Sequence, residues 1–222
     1  RTKLPFFGPA LFPAFSILDP VYTYTLPEKQ IANGVVDSFI HVMEQYLTFP
    51  TGAKVQDRFS EGLLSTLIEE GPIALEDREN YDVRANIMWT ATMAYNGLIG
   101  CGVPQDWSTH MIGHEITALY GFDHAETLAI IFPSMLEVMK EAKKAKLLQY
   151  GRRVWDIDVS LPEDERISLA ISNTVGFFRR MGMKTRFSDH GRGREVIDAI
   201  IGSLKAHGMT KLGENGAVTP DT

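Results

Sequence analysis

From residue 25 onward the apolar positions of this chain recur at helical spacing, three and four residues apart. Val35, Val36, Phe39, Ile40 and Met43 lie on one side of a helical wheel, which predicts a long helix over residues 25–47. Thr25 and Glu28 have the spacing of a capping box, and Pro27 falls in the first turn, where a missing N–H matters little. Pro50 and Gly52 end this helix. A second helix is predicted over 54–70, stopped by Gly71 and Pro72, and a third over 81–99, ended by the glycines and proline of 100–104. A fourth covers 107–120 and runs into Gly121. A fifth starts near Asp123 and continues past Pro133, which is expected to kink or divide it. Three more follow at 142–155, 163–181 and 195–207, with Gly182 and Gly208 suited to the positions just beyond a helix end. The first 20 residues are rich in proline, and the apolar stretch 14–18, closed by Asp19 and Pro20, reads as a strand and a turn. No repeat, no low-complexity tract and no alternating strand pattern appears after residue 25. The expected fold is therefore all-α, about eight helices, preceded by a strand remnant.

Composition adds limits rather than direction. With 222 residues, 44% of them hydrophobic, the chain can bury a sizeable core as one large domain or two small ones. The net charge of −6 and the lack of any Lys/Arg-rich run speak against a nucleic-acid partner. No apolar run nears the roughly 20 residues of a membrane helix. Residues 1–7 lack the apolar core and small-residue cleavage site of a signal peptide. The single cysteine, Cys101, rules out a disulfide framework within the chain and fits a reducing cytoplasm. The chain opens without Met and closes on the turn-rich stretch 213–222, so it reads as part of a longer protein.

The chemistry concentrates in the histidines, of which there are 6. His41, His110, His114 and His124 sit in otherwise apolar segments. His41 follows Asp37 by four residues, so both project from one helix face a turn apart. His110 and His114 repeat that spacing, and His124 opens the fifth helix after a turn. A carboxylate with several imidazoles, and no thiolate, suits Fe²⁺ or Zn²⁺ in a catalytic rather than a Cys-rich structural site. The same histidines are also compatible with hydrogen-bonded core positions. His190 and His207 lie in polar, glycine-flanked contexts and read as solvated surface residues. Asp123 reads as a helix N-cap rather than a ligand, and Cys101 as a small packed residue rather than a nucleophile. Trp89, Trp155 and the methionines read as core. Trp107 lines either a pocket or the core, and Glu44 either orients His41 or faces solvent.

These residues carry a resemblance. The stretch Asn33-Gly-Val-Val-Asp37-Ser-Phe-Ile-His41-Val-Met-Glu44 resembles the first metal-binding motif of the iron-containing alcohol dehydrogenases. The stretch His110-Met-Ile-Gly113-His114 and onward to His124-Ala-Glu-Thr127 resembles their second, and the segment from Leu18 to Pro27 is similar to the strand and turn before the first. Gly102-Val-Pro104-Gln-Asp-Trp107 and Lys146-Leu-Leu-Gln-Tyr150 resemble the branch of NADPH-dependent aldehyde reductases and butanol dehydrogenases. The resemblance spans essentially the whole chain.

It implies that Asp37, His41, His110 and His124 hold one Fe²⁺ or Zn²⁺ per chain, with His114 close by as a proton relay or a hydrogen-bonded neighbour. It implies a dehydroquinate synthase-like C-terminal helical domain over residues 25–222, with residues 1–24 as the end of an α/β nucleotide-binding domain. Related families on this fold, the glycerol dehydrogenases and dehydroquinate synthases, use three protein ligands, so His41 favours the alcohol dehydrogenase branch. The glycine-rich pyrophosphate loop is not in this chain, so the dinucleotide, NADP(H) in preference to NAD(H), is expected to bind mainly upstream. The implied activity is hydride transfer between small aldehydes and primary alcohols, in a cytoplasmic homodimer with no membrane or nucleic-acid partner. Two other classes are weighed against it: a metal-dependent hydrolase, which needs a general base that does not announce itself, and a non-catalytic metal-binding or assembly module.

Overall fold

A computed structural model describes residues 2, 3, 6 and 8–222. Arg1, Leu4, Pro5 and Phe7, within the opening segment read as lacking a signal peptide, lie outside the described residues. Among the described residues eight α-helices form the body: α1 Glu28–Tyr46, α2 Lys54–Glu76, α3 Tyr81–Tyr95, α4 Ser108–Tyr120, α5 His124–Val138, α6 Lys144–Val154, α7 Glu163–Arg180 and α8 Glu195–Ala206. Short 3-10 turns at Pro9–Leu11, Pro20–Thr23 and Phe187–His190 complete the regular structure, with one isolated antiparallel bridge between Leu212 and Val218. The all-α class and the number of helices agree with the sequence reading.

Helix α1 is the hub. Its apolar positions Val35, Val36, Phe39, Ile40, Val42 and Met43 are wholly buried, so the helix is covered on several sides rather than along one stripe. It packs against α2, α3 and α5, while α4 lies on α5 and α8, and α6 on α7. Phe39 meets Phe177 and Phe178 of α7 at ring-centroid distances of 5.2 and 5.6 Å, which ties the far side of the core to α1. Asp37 and His41 therefore sit on a helix that is held on several sides.

Three local expectations are corrected. Residues 14–18 carry no strand, and Phe15 and Ile17 are exposed. A strand needs a neighbour for its N–H and C=O groups, and none of the described residues offers one. The Thr25–Glu28 capping box does not form: α1 is entered through Pro27 in extended backbone, with no side-chain cap. Helix α2 does not stop at Gly71 but runs through Pro72 to Glu76. The reason is tertiary. A Cβ on Gly71 would lie 2.9 Å from Val35 Cγ1 and 3.1 Å from the Met181 sulfur, so glycine is what allows α2 to press onto α1 there, and that packing outweighs the local breaker. Helix α5 continues past Pro133 to Val138, as expected, and is not divided there.

Other signals were read correctly. Asp123 caps α5 in a reciprocal box with Glu126. Gly121 closes α4 with φ 73°, a left-handed conformation that glycine adopts without strain.

Candidate metal centre

Three helices bring the site together. Helix α1 presents Asp37 and His41 one turn apart, α4 presents His110 from its first turn, and α5 begins at His124. One donor atom from each of these four residues lies within 4.8 Å of all the others. Asp37 Oδ1 stands 3.7 Å from His41 Nε2, 3.7 Å from His110 Nε2 and 3.8 Å from His124 Nε2. His41 Nε2 and His110 Nε2 are 2.8 Å apart. Asp37 Oδ1 is buried and has no hydrogen-bond partner, although Oδ2 of the same carboxylate accepts from the Tyr95 hydroxyl at 2.8 Å.

A buried, unpartnered carboxylate oxygen facing three imidazole nitrogens is costly unless something positive sits among them. The residues fit a metal ion by that test. Tetrahedral bonds of about 2.0–2.2 Å put ligand atoms about 3.4 Å apart. The three separations from Asp37 Oδ1 match within a few tenths of an ångström, and the imidazole pair is tighter. The donor set is hard-to-borderline, without sulfur, as Fe²⁺ and Zn²⁺ accept.

The surroundings tune the donors. Burial lowers the His41 pKa to about 3 and the His124 pKa to about 4, so both are neutral bases at pH 7. Burial alone would also lower His110, but the carboxylates of Asp37, facing it at 3.7 Å, and Glu44, bonded to its Nδ1, outweigh it and raise its pKa to about 9. For Asp37, burial pushes the carboxyl up, yet the neighbouring imidazoles, His110 first, hold it below the usual carboxylate range. His114 is half-buried, its ring 5.2 Å from that of His124, and burial followed by the nearby Lys3 ammonium lowers its pKa to about 4. It stands beside the four donors, not among them.

Several neighbours escaped the sequence reading. Glu44 neither orients His41 nor faces solvent: it is buried and hydrogen-bonds to His110 Nδ1. Tyr95 and Lys3 carried no signal, yet one holds Asp37 and the other places its Nζ 3.3 Å from His124 Nδ1. Each contact joins residues far apart in the chain, which no local pattern encodes. Trp107 lies at the site, its ring 5.3 Å from those of both His41 and His110. An open cleft of about 370 Å³ beside Asp37 and His124, lined also by Asn33, Gly34 and Asp123, gives access.

Away from the site, Cys101 is exposed rather than packed, and Trp89 is 58% exposed rather than core. Trp155 packs against the main core as expected. His190 is half-buried and stacks on Phe122 at 4.6 Å, and His207, although exposed, bonds to the buried Glu115 at 2.9 Å. Neither is a freely solvated histidine.

Residues 31–211 match the family described as Fe-containing alcohol dehydrogenase, C-terminal. The chain belongs to the iron-containing alcohol dehydrogenase family. Among this family's members it is 57% identical over 219 residues to the NADPH-dependent aldehyde reductase YqhD of Escherichia coli, covering 99% of this chain and 56% of that protein. It is 37% identical over 209 residues to the probable NADH-dependent butanol dehydrogenase 1 of Bacillus subtilis, covering 94% of this chain and 54% of the relative. The solved structure of the substrate- and cofactor-free aldehyde reductase YqhD superposes with a TM-score of 0.93 at 58% identity, covering 95% of this chain and 55% of that one. A butanol dehydrogenase of Thermotoga maritima, named as NADH-dependent, superposes with a TM-score of 0.85 at 28% identity, covering 90% of this chain and 50% of that one. The chain thus spans about half the length of the relatives it matches.

Proposed function

We propose that this chain is the metal-binding half of an NADP(H)-dependent reductase of small aldehydes, in which Asp37, His41, His110 and His124 hold one Fe²⁺ or Zn²⁺. The observation that carries the reading is the convergence of those four donors around a buried carboxylate oxygen with no hydrogen-bond partner. When bound, the metal supplies Lewis-acid polarisation of the substrate oxygen and the reduced nicotinamide supplies hydride. Asp37 brings the negative charge of the set and is held in place by the Tyr95 hydroxyl. His41 and His124, neutral at pH 7, offer lone pairs without first losing a proton. His114, neutral and half-buried next to His124, is the residue we assign to carrying a proton toward the substrate oxygen, taking it on one ring nitrogen and releasing it from the other.

The identity to an NADPH-dependent aldehyde reductase supports both the substrate class and the preference for NADP(H). The 56% coverage of that protein supports a dinucleotide-binding domain ahead of residue 25, with residues 1–24 as its end. Phe12, Phe15 and Ile17, at 78, 80 and 83% exposure, offer apolar surface against which such a domain packs. The family resemblance implies a homodimer, the single cysteine fits a reducing cytoplasm, and the net charge of −6 gives no footprint for nucleic acid. Among the described residues no helix is long and apolar enough to cross a membrane.

The test is NADPH oxidation driven by a short-chain aldehyde, in the full-length protein. Activity should vanish on chelation and return with Fe²⁺ or Zn²⁺. Reduction that survives complete metal removal, or hydrolysis without any nicotinamide-dependent turnover, would overturn the proposal.

A further inference from the structure

We infer that Glu44 is a positioning residue that fixes His110 in the tautomer and orientation a ligand needs, while capping the helix that carries it. The inference rests on the metal site proposed above and goes beyond its four donors. Glu44 lies two turns along α1 from Asp37, buried, and both of its carboxylate oxygens are used. Oε1 accepts from the backbone N–H of Thr109 at 2.7 Å and of His110 at 3.4 Å. Oε2 bonds to His110 Nδ1. The Glu44 carbonyl oxygen also accepts from the Asp106 N–H at 2.8 Å, which docks the approach to α4 onto α1.

Helix α4 needs this help. Its N-cap residue is Trp107, which makes no side-chain cap; Asp106 Oδ1 takes the Ser108 N–H at 2.9 Å, and the N–H groups of Thr109 and His110 have no local acceptor. The Glu44 carboxylate supplies one from another helix, and a negative charge there also complements the positive end of the helix dipole. The same carboxylate accepts only, so the proton it shares with His110 belongs on Nδ1. That leaves Nε2 as the nitrogen turned to the cluster, where it stands 2.8 Å from His41 Nε2 and 3.7 Å from Asp37 Oδ1. One side chain on α1 thereby sets the register of a donor on α4 against two donors on α1.

Glu44→Gln separates this role from mere packing. The amide is nearly isosteric and its oxygen can keep the backbone contacts. Its NH₂ would then face His110 Nδ1, favouring the proton on Nε2, where a metal must bind. The experiment measures Zn²⁺ affinity of the full chain by competition with a chromophoric chelator, for the native protein, Glu44→Gln and His124→Ala. It adds the ¹⁵N spectrum of histidines in the Zn²⁺-loaded native protein. We expect Glu44→Gln to lose about 10–100-fold in affinity, with native helix content retained, and we expect His110 to carry its proton on Nδ1. Affinity within about twofold of native in Glu44→Gln, or a His110 bound through Nδ1, overturns the inference while leaving the metal site standing. A native protein that takes up no Zn²⁺ overturns the site and this inference together. If Glu44→Gln does not fold, the native ¹⁵N spectrum still decides.

Discussion

At the scale of single residues, the buried charges set what can be changed. Lys143 is buried, and its Nζ reaches Asp106 at 2.7 Å, Glu214 at 3.0 Å and the Leu47 carbonyl at 2.7 Å. It anchors the chain after α8 to the segment before α4. Lys143→Met leaves two carboxylates buried without their cation, and we expect a loss of about 3–5 kcal/mol in denaturant unfolding. Burial alone would push the Asp106 carboxyl up, but the Lys143 ammonium outweighs it and holds it below the usual range. A lowered folded-state pKa means stability that is complete above the unfolded value of about 3.9 and lost as pH falls through the folded one. Acid unfolding of the native protein should therefore steepen below about pH 4, and Asp106→Asn should flatten that limb. At the proposed active site, His114→Phe should keep full metal content yet lower kcat by about 10²–10⁴-fold if His114 carries the proton. An unchanged kcat would leave it a packing residue.

These residues also show what the sequence could carry. Asp37 and His41 stood out by their i, i+4 spacing, which is local, whereas His110 and His124 were joined to them as one donor set only through the family resemblance. Glu44 was visible only as a polar residue in an apolar run, with no hint that its partner lies 66 positions away. Lys143 had no signal at all, since its partners come from three separate stretches of chain.

At the scale of elements, the helices were legible and their ends less so. Period and caps found all eight, including the Asp123–Glu126 box, because those signals are local. The failure at Gly71 and Pro72 came from packing against Val35 and Met181, a tertiary term that local rules omit. Gly113 poses the same question at the site. A Cβ there would lie 2.7 Å from Thr127 Oγ1 and 3.0 Å from Leu128 Cδ2, on the seam between α4 and α5. Because α4 carries His110 and α5 begins at His124, spreading this seam moves two proposed ligands apart. Gly113→Ala should cost about 1–3 kcal/mol in stability and weaken metal binding beyond that of a remote variant with equal loss. Equal stability and affinity to native would mean the seam is compliant.

At the scale of the molecule, the all-α body follows from apolar helical periodicity, and the site from where α4 and α5 converge on the buried α1. The expected strand at 14–18 did not form, because a strand is a property of a sheet and no partner strand exists among the described residues. We propose that this helical body holds one catalytic metal between α1, α4 and α5. The most direct test is elemental analysis of the purified, anaerobically reconstituted protein beside His124→Ala. The account predicts about one Fe or Zn per chain in the native protein and near-total loss in the variant. Native protein without metal after reconstitution, or a variant that retains it in full, would contradict it.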